Sequence, residues 1–156
     1  MRNYRQATPE DMEILLVLSD LLVELDRQYD PTLDPAYSRS AEGRAWLEEC
    51  IQTPNSCVLI AELEGRPVGM LIGRMDEPSP WRKIGERLAE LEMFCVEPGI
   101  RGRGLGRGLL DAFAAWAKER NAERLWVRVS AGNADAIRFY KRELFSDYDV
   151  ILERRL

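Results

Sequence analysis

Apolar residues in the first quarter of the chain recur at intervals of three and four. Ile14, Leu15, Leu18, Leu21, Leu22 and Leu25 predict an amphipathic helix over about Pro9 to Arg27. Thr8 stands at its N-cap, Pro9 at the first helical position and Asp11 where a capping-box acid belongs. A short strand at Tyr4 to Ala7 precedes it. Ala45, Trp46, Leu47 and Ile51 predict a second helix over about Ser40 to Gln52, stopped before Pro54. The stretch between the helices, Tyr29 to Tyr37 with Pro31 and Pro35, reads as a loop.

From Cys57 the period changes. Cys57 to Leu63 and Pro67 to Met75 are short apolar runs divided by Glu64-Gly65-Arg66, a hairpin signal. The polar segment Asp76 to Arg87, with Pro78, Pro80 and Trp81, is expected to loop over the surface. A third strand over about Ala89 to Glu97 leads into a glycine-rich turn. A helix over about Gly106 to Arg120 then buries Leu109, Leu110, Phe113, Trp116 and Ala117. Leu125 to Val129 is expected as a strand, Asn133 to Arg142 as a short helix, and Tyr148 to Glu153 as a closing strand. A helix pair, a hairpin, then strand–helix–strand–helix–strand predicts an α/β fold whose later strands pair in parallel through a crossover helix. At 156 residues, a single domain over 1–156 is expected.

Composition narrows the chemistry more than the fold. Hydrophobic residues at 46% and charged residues at 31% fit a globular chain and not a disordered one. Apolar runs such as Ile14 to Leu18 are far too short to span a membrane, and the first residues lack the apolar core of a signal peptide. A cytoplasmic location without a membrane partner is the expectation. The chain has no histidine, which excludes Ser-His and Cys-His nucleophile pairs. Cys50, Cys57 and Cys95 lack metal-ligand spacing, so no metal site is expected. Acid–base work falls to carboxylates, Tyr, Lys, Cys, water or the substrate. A net charge of -5 argues against a nucleic-acid partner and favours cationic substrates.

The chemistry concentrates at Val96-Glu97-Pro98-Gly99-Ile100-Arg101-Gly102-Arg103-Gly104-Leu105-Gly106, where a strand ends and a helix begins. The first amides of a helix lack intrahelical partners and sit at the positive end of its dipole. Glycines let an anion approach them closely, and Arg101, Arg103 and Arg107 add positive charge. A pyrophosphate suits such a turn. The Gly-x-Gly-x-x-Gly register fails, because Arg107 and Leu109 fall where its third glycine belongs. A nucleotide P-loop fails for want of a lysine after these glycines. A flexible basic linker or RNA-binding tract would not lie between an apolar strand and an amphipathic helix.

What remains is Arg-x-x-Gly-x-Gly at Arg101, Gly104 and Gly106, preceded by Val96-x-Pro98. This resembles the Gln/Arg-x-x-Gly-x-Gly/Ala motif of the GNAT acetyltransferases. Asn133-Ala134-Asp135-Ala136-Ile137-Arg138-Phe139-Tyr140 resembles the family's Asn-x-x-Ala-x-x-Phe-Tyr helix, one helix and one strand further on. The resemblance implies a mixed, mostly antiparallel central sheet with one parallel, splayed strand pair, flanked by about four helices. It implies acetyl-CoA as acetyl donor, with no metal and no acyl-enzyme. The pantetheine arm would lie between the strand ending at Val96 and the strand from Leu125, pairing with backbone at Phe94, Cys95 and Val96. Arg101, Gly102, Arg103, Gly104, Leu105, Gly106 and Arg107 would hold the pyrophosphate, and Asn133, Ala136 and Tyr140 would line the arm.

The implied reaction is direct attack of an amine on the thioester. Glu90 and Glu92 are the candidates to drain the amine's proton; in a regular strand they share a face with Phe94 and Val96. Tyr140 holds the position of the group that meets the departing thiolate. Tyr29, Asp30 and Trp81, in the loops that build the family's acceptor sites, are the substrate-side candidates, and carboxylates among aromatics suit a cationic acceptor. Small amines, polyamines, aminoglycosides and protein lysines or N-termini all fit. A catalytically silent acetyl-CoA sensor is the alternative. Leu144 stands where the family often has glycine, which leaves open a different end to the last helix. The short tail leaves a sheet edge that a second copy could cover, so a homodimer is expected.

Overall fold

The computed structural model describes residues 1–77, 86–154 and 156. Five strands lie in the spatial order β1 (Arg2–Gln6), β2 (Ser56–Leu63), β3 (Arg66–Met75), β4 (Leu88–Val96) and β5 (Arg124–Val127). The first four pair antiparallel and β4 pairs with β5 in parallel. Four α-helices join them: α1 (Met12–Asp26), α2 (Ala41–Gln52), α3 (Leu105–Glu119) and α4 (Ala134–Arg142). The mixed sheet and its helices are those the family resemblance implies.

Both faces of the sheet are buried, which is why β2 and β3 read as continuous apolar runs without alternation. Leu15, Leu16 and Leu18 of α1 and Leu47 of α2 pack on Val58, Ile60, Met70, Ile72 and Cys95. On the other face Leu105, Leu109 and Phe113 of α3 and Tyr140 of α4 pack with Leu59, Ala61, Leu71 and Leu91. The β2–β3 hairpin turns through Glu64 and Gly65, both at positive φ (54° and 80°), as a primed two-residue turn requires.

The helix starts follow the local sequence. A single 3-10 turn over Pro9–Asp11 precedes α1, and the Asp11 carboxylate accepts from the Thr8 amide at 2.9 Å. Ser40 caps α2 by accepting from the Gly43 amide. The end of the chain departs from expectation. Residues Tyr148 to Glu153 form no strand. Lys141 pairs with Asp147 at 3.1 Å and the Arg124 guanidinium lies 5.2 Å from the Tyr148 ring, which tethers the start of the tail. Val150, Ile151 and Leu152 then stand exposed. Among the described residues, nothing covers these three consecutive apolar side chains.

Candidate active site

The ladder between β4 and β5 is short. Leu88 pairs with Arg124, Ala89 with Leu125, Glu90 with Trp126 and Leu91 with Val127, and there it ends. The cause lies on the opposite edge of β4. Ile72 of β3 pairs with Met93 but Gly73 pairs with Leu91, so Glu92 is an extra, unpaired residue. Such a bulge bends the strand and increases its twist. From Glu92 to Val96, β4 has no β5 neighbour, and its backbone faces a wedge-shaped cleft.

The bulge also corrects the reading of Glu90 and Glu92. Ala89 and Leu91 before it, and Phe94 and Val96 after it, all belong to the α3 side of the sheet, whereas Met93 and Cys95 face α1 and α2. A regular strand cannot put odd residues and then even ones on one face; the extra residue makes that switch. Glu90 therefore lies opposite in face to Phe94 and Val96, on the side of α1 and α2. Glu92 is held toward α2, its carboxylate accepting from Arg74 Nε at 2.9 Å, while Arg74 Nη2 reaches Cys50 Sγ at 3.4 Å. The Glu90 carboxyl is raised above the ordinary carboxylate range, first by burial and then by the negative charges of Glu92 and Asp76.

At the open end of the cleft the glycine turn delivers the N-terminus of α3. Gly102 and Gly104 sit at φ 79° and 78°, a conformation that a side chain would strain. The helix's first backbone bond runs from the Gly108 amide to the Gly104 carbonyl at 3.1 Å, so the amides of Leu105, Gly106 and Arg107 precede it. Strand β1 ties back the turn's carbonyls. Arg2 Nη1 donates to the Arg103 carbonyl at 2.8 Å, and the Tyr4 hydroxyl donates to the Gly104 carbonyl at 3.4 Å. The acceptors are thus engaged from one side, and three donors are left at the helix mouth.

The arginines divide their work. Arg101 Nε donates to the Val96 carbonyl at 3.0 Å, closing the end of β4. Arg107 stands between Asp111 at 3.8 Å and Glu143 at 3.7 Å. Arg103 is exposed beside the mouth.

Aromatic rings wall the cleft on the α3 and α4 side. Phe94 lies 5.5 Å from Phe139 and 6.2 Å from Tyr140, centroid to centroid. A Cβ on Gly106 would fall 3.2 Å from Phe94 Cζ, so glycine there lets the ring lie under the helix start. Asn133 accepts from the Ala136 amide through Oδ1 at 3.0 Å, as the N-cap of α4. Tyr140 is only 7% exposed, and its hydroxyl makes no hydrogen bond among the described residues. Burial pushes the phenol well up, and the charge of Asp26 pushes it further.

Helix α4 ends as it would with glycine in place of Leu144. Leu144 adopts φ 68°, the Phe145 amide donates to the Tyr140 carbonyl at 3.0 Å, and the Leu144 amide donates to the Lys141 carbonyl at 3.2 Å. This is the six-to-one and five-to-two pairing of a Schellman motif. The Phe145 ring completes it by packing 5.4 Å from Tyr140. The motif fixes Tyr140 in place at the cost of a strained leucine.

Among the substrate-side candidates, Tyr29 comes to the site: a Cβ on Gly132 would fall 3.2 Å from its ring, so it packs on the loop after β5. Asp30 is exposed and binds the Thr32 amide at 3.0 Å, a local turn that does not bring it to the cleft. Trp81 lies outside the described residues. The sequence reading missed Asp26, the last residue of α1, although helical spacing from Leu22 gave the signal. It also missed Arg2 and Tyr4, which carried no signal without the fold. Among the described residues no group of three or more His, Cys, Asp or Glu side chains could hold a metal ion.

Comparison with known proteins agrees with this geometry. Residues 19–144 match the model of the acetyltransferase (GNAT) family. A mycothiol acetyltransferase of Amycolatopsis mediterranei is 31% identical over 111 residues, covering 71% of this chain and 35% of the relative. An N-acetyltransferase of Methanocaldococcus jannaschii is 28% identical over 149 residues, covering 94% of this chain and 62% of the relative. The chain thus spans about a third of the first relative's length and under two thirds of the second's. In fold, the chain resembles the aminoglycoside N-acetyltransferase AAC(6')-Iy in complex with CoA, with a TM-score of 0.78, 18% identity, and coverage of 100% of this chain and 95% of that one. A splayed parallel pair, a glycine-rich helix mouth and a family match over most of the chain lead to one conclusion: this chain belongs to the acetyltransferase (GNAT) family.

Proposed function

We propose that the chain transfers an acetyl group from acetyl-CoA directly to a cationic amine. The observation that carries this reading is the cleft opening after Leu91 and Val127, which runs toward the free amides of Leu105, Gly106 and Arg107. A pantetheine arm carries amides that can pair with the unpaired edge of β4 at Phe94, Cys95 and Val96, as an added strand would. A pyrophosphate suits the helix mouth, where donors and dipole both favour negative charge, with Arg103 beside it. Phe94, Phe139, Ala136 and Asn133 flank the arm's path.

Direct attack is favoured over an acyl-enzyme by the state of the thiols. Burial pushes Cys95 and Cys57 up to about 12 and Cys50 up to about 11, so none offers a thiolate at neutral pH. Glu90 and Glu92 make the acceptor side of β4 negative, which attracts an ammonium and draws its proton toward water. A backbone amide near Val96 would donate to the tetrahedral oxyanion. On the other side, Tyr140 faces the departing sulfur. A thiol near pKa 8.5 and a phenol near 10 make full proton transfer uphill by roughly 2 kcal/mol. Burial raises the Tyr140 phenol and widens that gap, so Tyr140 stabilises the thiolate as a hydrogen-bond donor.

The fold relative named as an aminoglycoside N-acetyltransferase supports small polycationic amines as the acceptor class; polyamines and protein lysines or N-termini share that chemistry. The uncovered β5 edge and exposed Val150, Ile151 and Leu152 support a homodimer that covers them, and light scattering giving only monomer mass would refute it. The function is tested by steady-state release of free CoA with a panel of amines. Turnover with at least one cationic amine is expected; tight acetyl-CoA binding without turnover would instead identify a silent sensor.

A further inference from the structure

A carboxylate that none of these roles uses stands at the mouth of the cleft. On α1 the sheet-facing stripe runs Leu15, Ser19, Leu22, at intervals of four and three, and the first two are fully buried. Four residues on, where a further apolar residue would complete the stripe, the chain has Asp26. Helix α1 is anchored to the sheet near this end, since Cys95 Sγ donates to the Leu18 carbonyl at 3.4 Å. Just beyond it, the Tyr29 ring meets Gly132 across the cleft. Asp26 is half-buried and its carboxylate makes no hydrogen bond or ion pair among the described residues. The groups that feel its charge come from three other elements: Cys95 on β4, Arg101 in the glycine turn and Tyr140 on α4. The Tyr140 hydroxyl also makes no hydrogen bond among the described residues, so it and the carboxylate whose charge it feels are both left without a hydrogen-bond partner there.

We propose that Asp26 is a further catalytic residue, whose carboxylate takes the proton that the acceptor nitrogen sheds as it bonds to the acetyl carbon. This rests on the acetyl transfer proposed above. The other acidic candidates are less free. Glu92 is committed to Arg74, and Glu90 lies where β4 is still paired, opposite Trp126. Asp26 has neither constraint: it makes no ion pair among the described residues and lies off the paired part of β4. The amine attacks in its neutral form, and the C–N bond forms as the carbonyl π pair moves to oxygen. The nitrogen, now positive and acidified by its new bond, gives its proton to an Asp26 oxygen. The carbonyl re-forms as the C–S bond breaks, the electron pair leaving on sulfur as a thiolate steadied by Tyr140. The Asp26 proton then passes through water to the thiolate or to bulk solvent, which restores the carboxylate. Burial lifts the Asp26 carboxyl above its ordinary range, with Arg101 opposing, which makes it a better base than an exposed aspartate.

The test compares wild type with Asp26→Asn and Asp26→Glu, using acetyl-CoA and the best amine of the panel. For Asp26→Asn, kcat/KM for the amine should fall at least tenfold, and the ascending limb of its pH profile should disappear or move. Coenzyme A affinity by calorimetry should stay within about twofold of wild type. Asp26→Glu should recover part of the rate. The melting temperature of Asp26→Asn at pH 7 should hold or rise, because a partly buried, unpaired charge has been removed. Wild-type rate and pH profile in Asp26→Asn would overturn the inference and leave the acetyl transfer standing. A lowered melting temperature with an unchanged pH profile would also overturn it, as a structural role. Absence of turnover in wild type, with any amine, would overturn both.

Discussion

The two edges of β4 behave as two different proteins. Toward β3 the strand is paired along most of its length, and β3 has seven of its ten residues buried. Toward β5 it is paired at four positions, and none of the four β5 residues is fully buried. One side is closed, packed by α1 and α2 on one face of the sheet and by α3 on the other. The other is a half-built sheet with a cleft, an uncovered edge and an exposed apolar tail. The difference teaches where the chain keeps stability and where it keeps room for chemistry. A complete β4–β5 ladder would add backbone bonds and fill the place where the carrier's arm is proposed to lie. The bulge at Glu92 separates the two regimes.

Substitutions can break this contrast from either side. The largest expected effect is on the closed side. Phe113 is fully buried, with its ring against Gly73, where a Cβ would fall 2.4 Å from Phe113 Cζ. Phe113→Ala should lower unfolding free energy by about 3–5 kcal/mol, read as a shift in the urea midpoint. The next effect lies at the entry to α1. Arg5 holds Asp11 through two bonds at 2.7 and 2.8 Å, and this pairing lowers the Asp11 carboxyl to about 2. A lowered carboxylate stabilises the fold above its unfolded pKa of about 4, and that contribution is lost as pH falls through about 2. Asp11→Asn should therefore cost about 2 kcal/mol at pH 7, and its melting temperature should converge with wild type toward pH 2. A constant difference across that range would sink the assignment.

On the open side the effects should be catalytic or small. Tyr140→Phe should lower kcat at least tenfold with acetyl-CoA affinity nearly intact, and an unchanged kcat would make Tyr140 a packing residue only. The smallest effect belongs to Leu144, exposed and held at φ 68°. Leu144→Gly should relieve left-handed strain and raise stability by about 1 kcal/mol, with kcat unchanged because the same motif already fixes Tyr140.

Most of this contrast was legible in the sequence on its closed side. Helical spacing in α1 and α3, and the apolar runs of β2 and β3, declare burial by themselves. The glycine turn and the Asn133 helix were legible too, because amide exposure and capping are local properties. What sequence hid is non-local. The bulge at Glu92 exists only in the pairing with Gly73, so the face of Glu90 could not be read from parity. Asp26 looks like a solvated helix end until α1 is laid over β4 and its stripe continues to the cleft. Tyr148 to Glu153 has strand composition, but composition does not say whether a segment pairs with an edge, and here it does not. Leu144 shows the converse: the Schellman pairing around it imposes a conformation that its own preference opposes.

The central claim is that the unpaired stretch of β4 and the amides of the α3 mouth together seat coenzyme A. A crystal structure with acetyl-CoA tests it most directly. The account predicts the pantetheine arm between β4 and β5, paired with backbone from Phe94 to Val96, and the pyrophosphate on the amides of Leu105 to Arg107. Acetyl-CoA bound elsewhere, with the cleft closed by the protein's own groups, would contradict it.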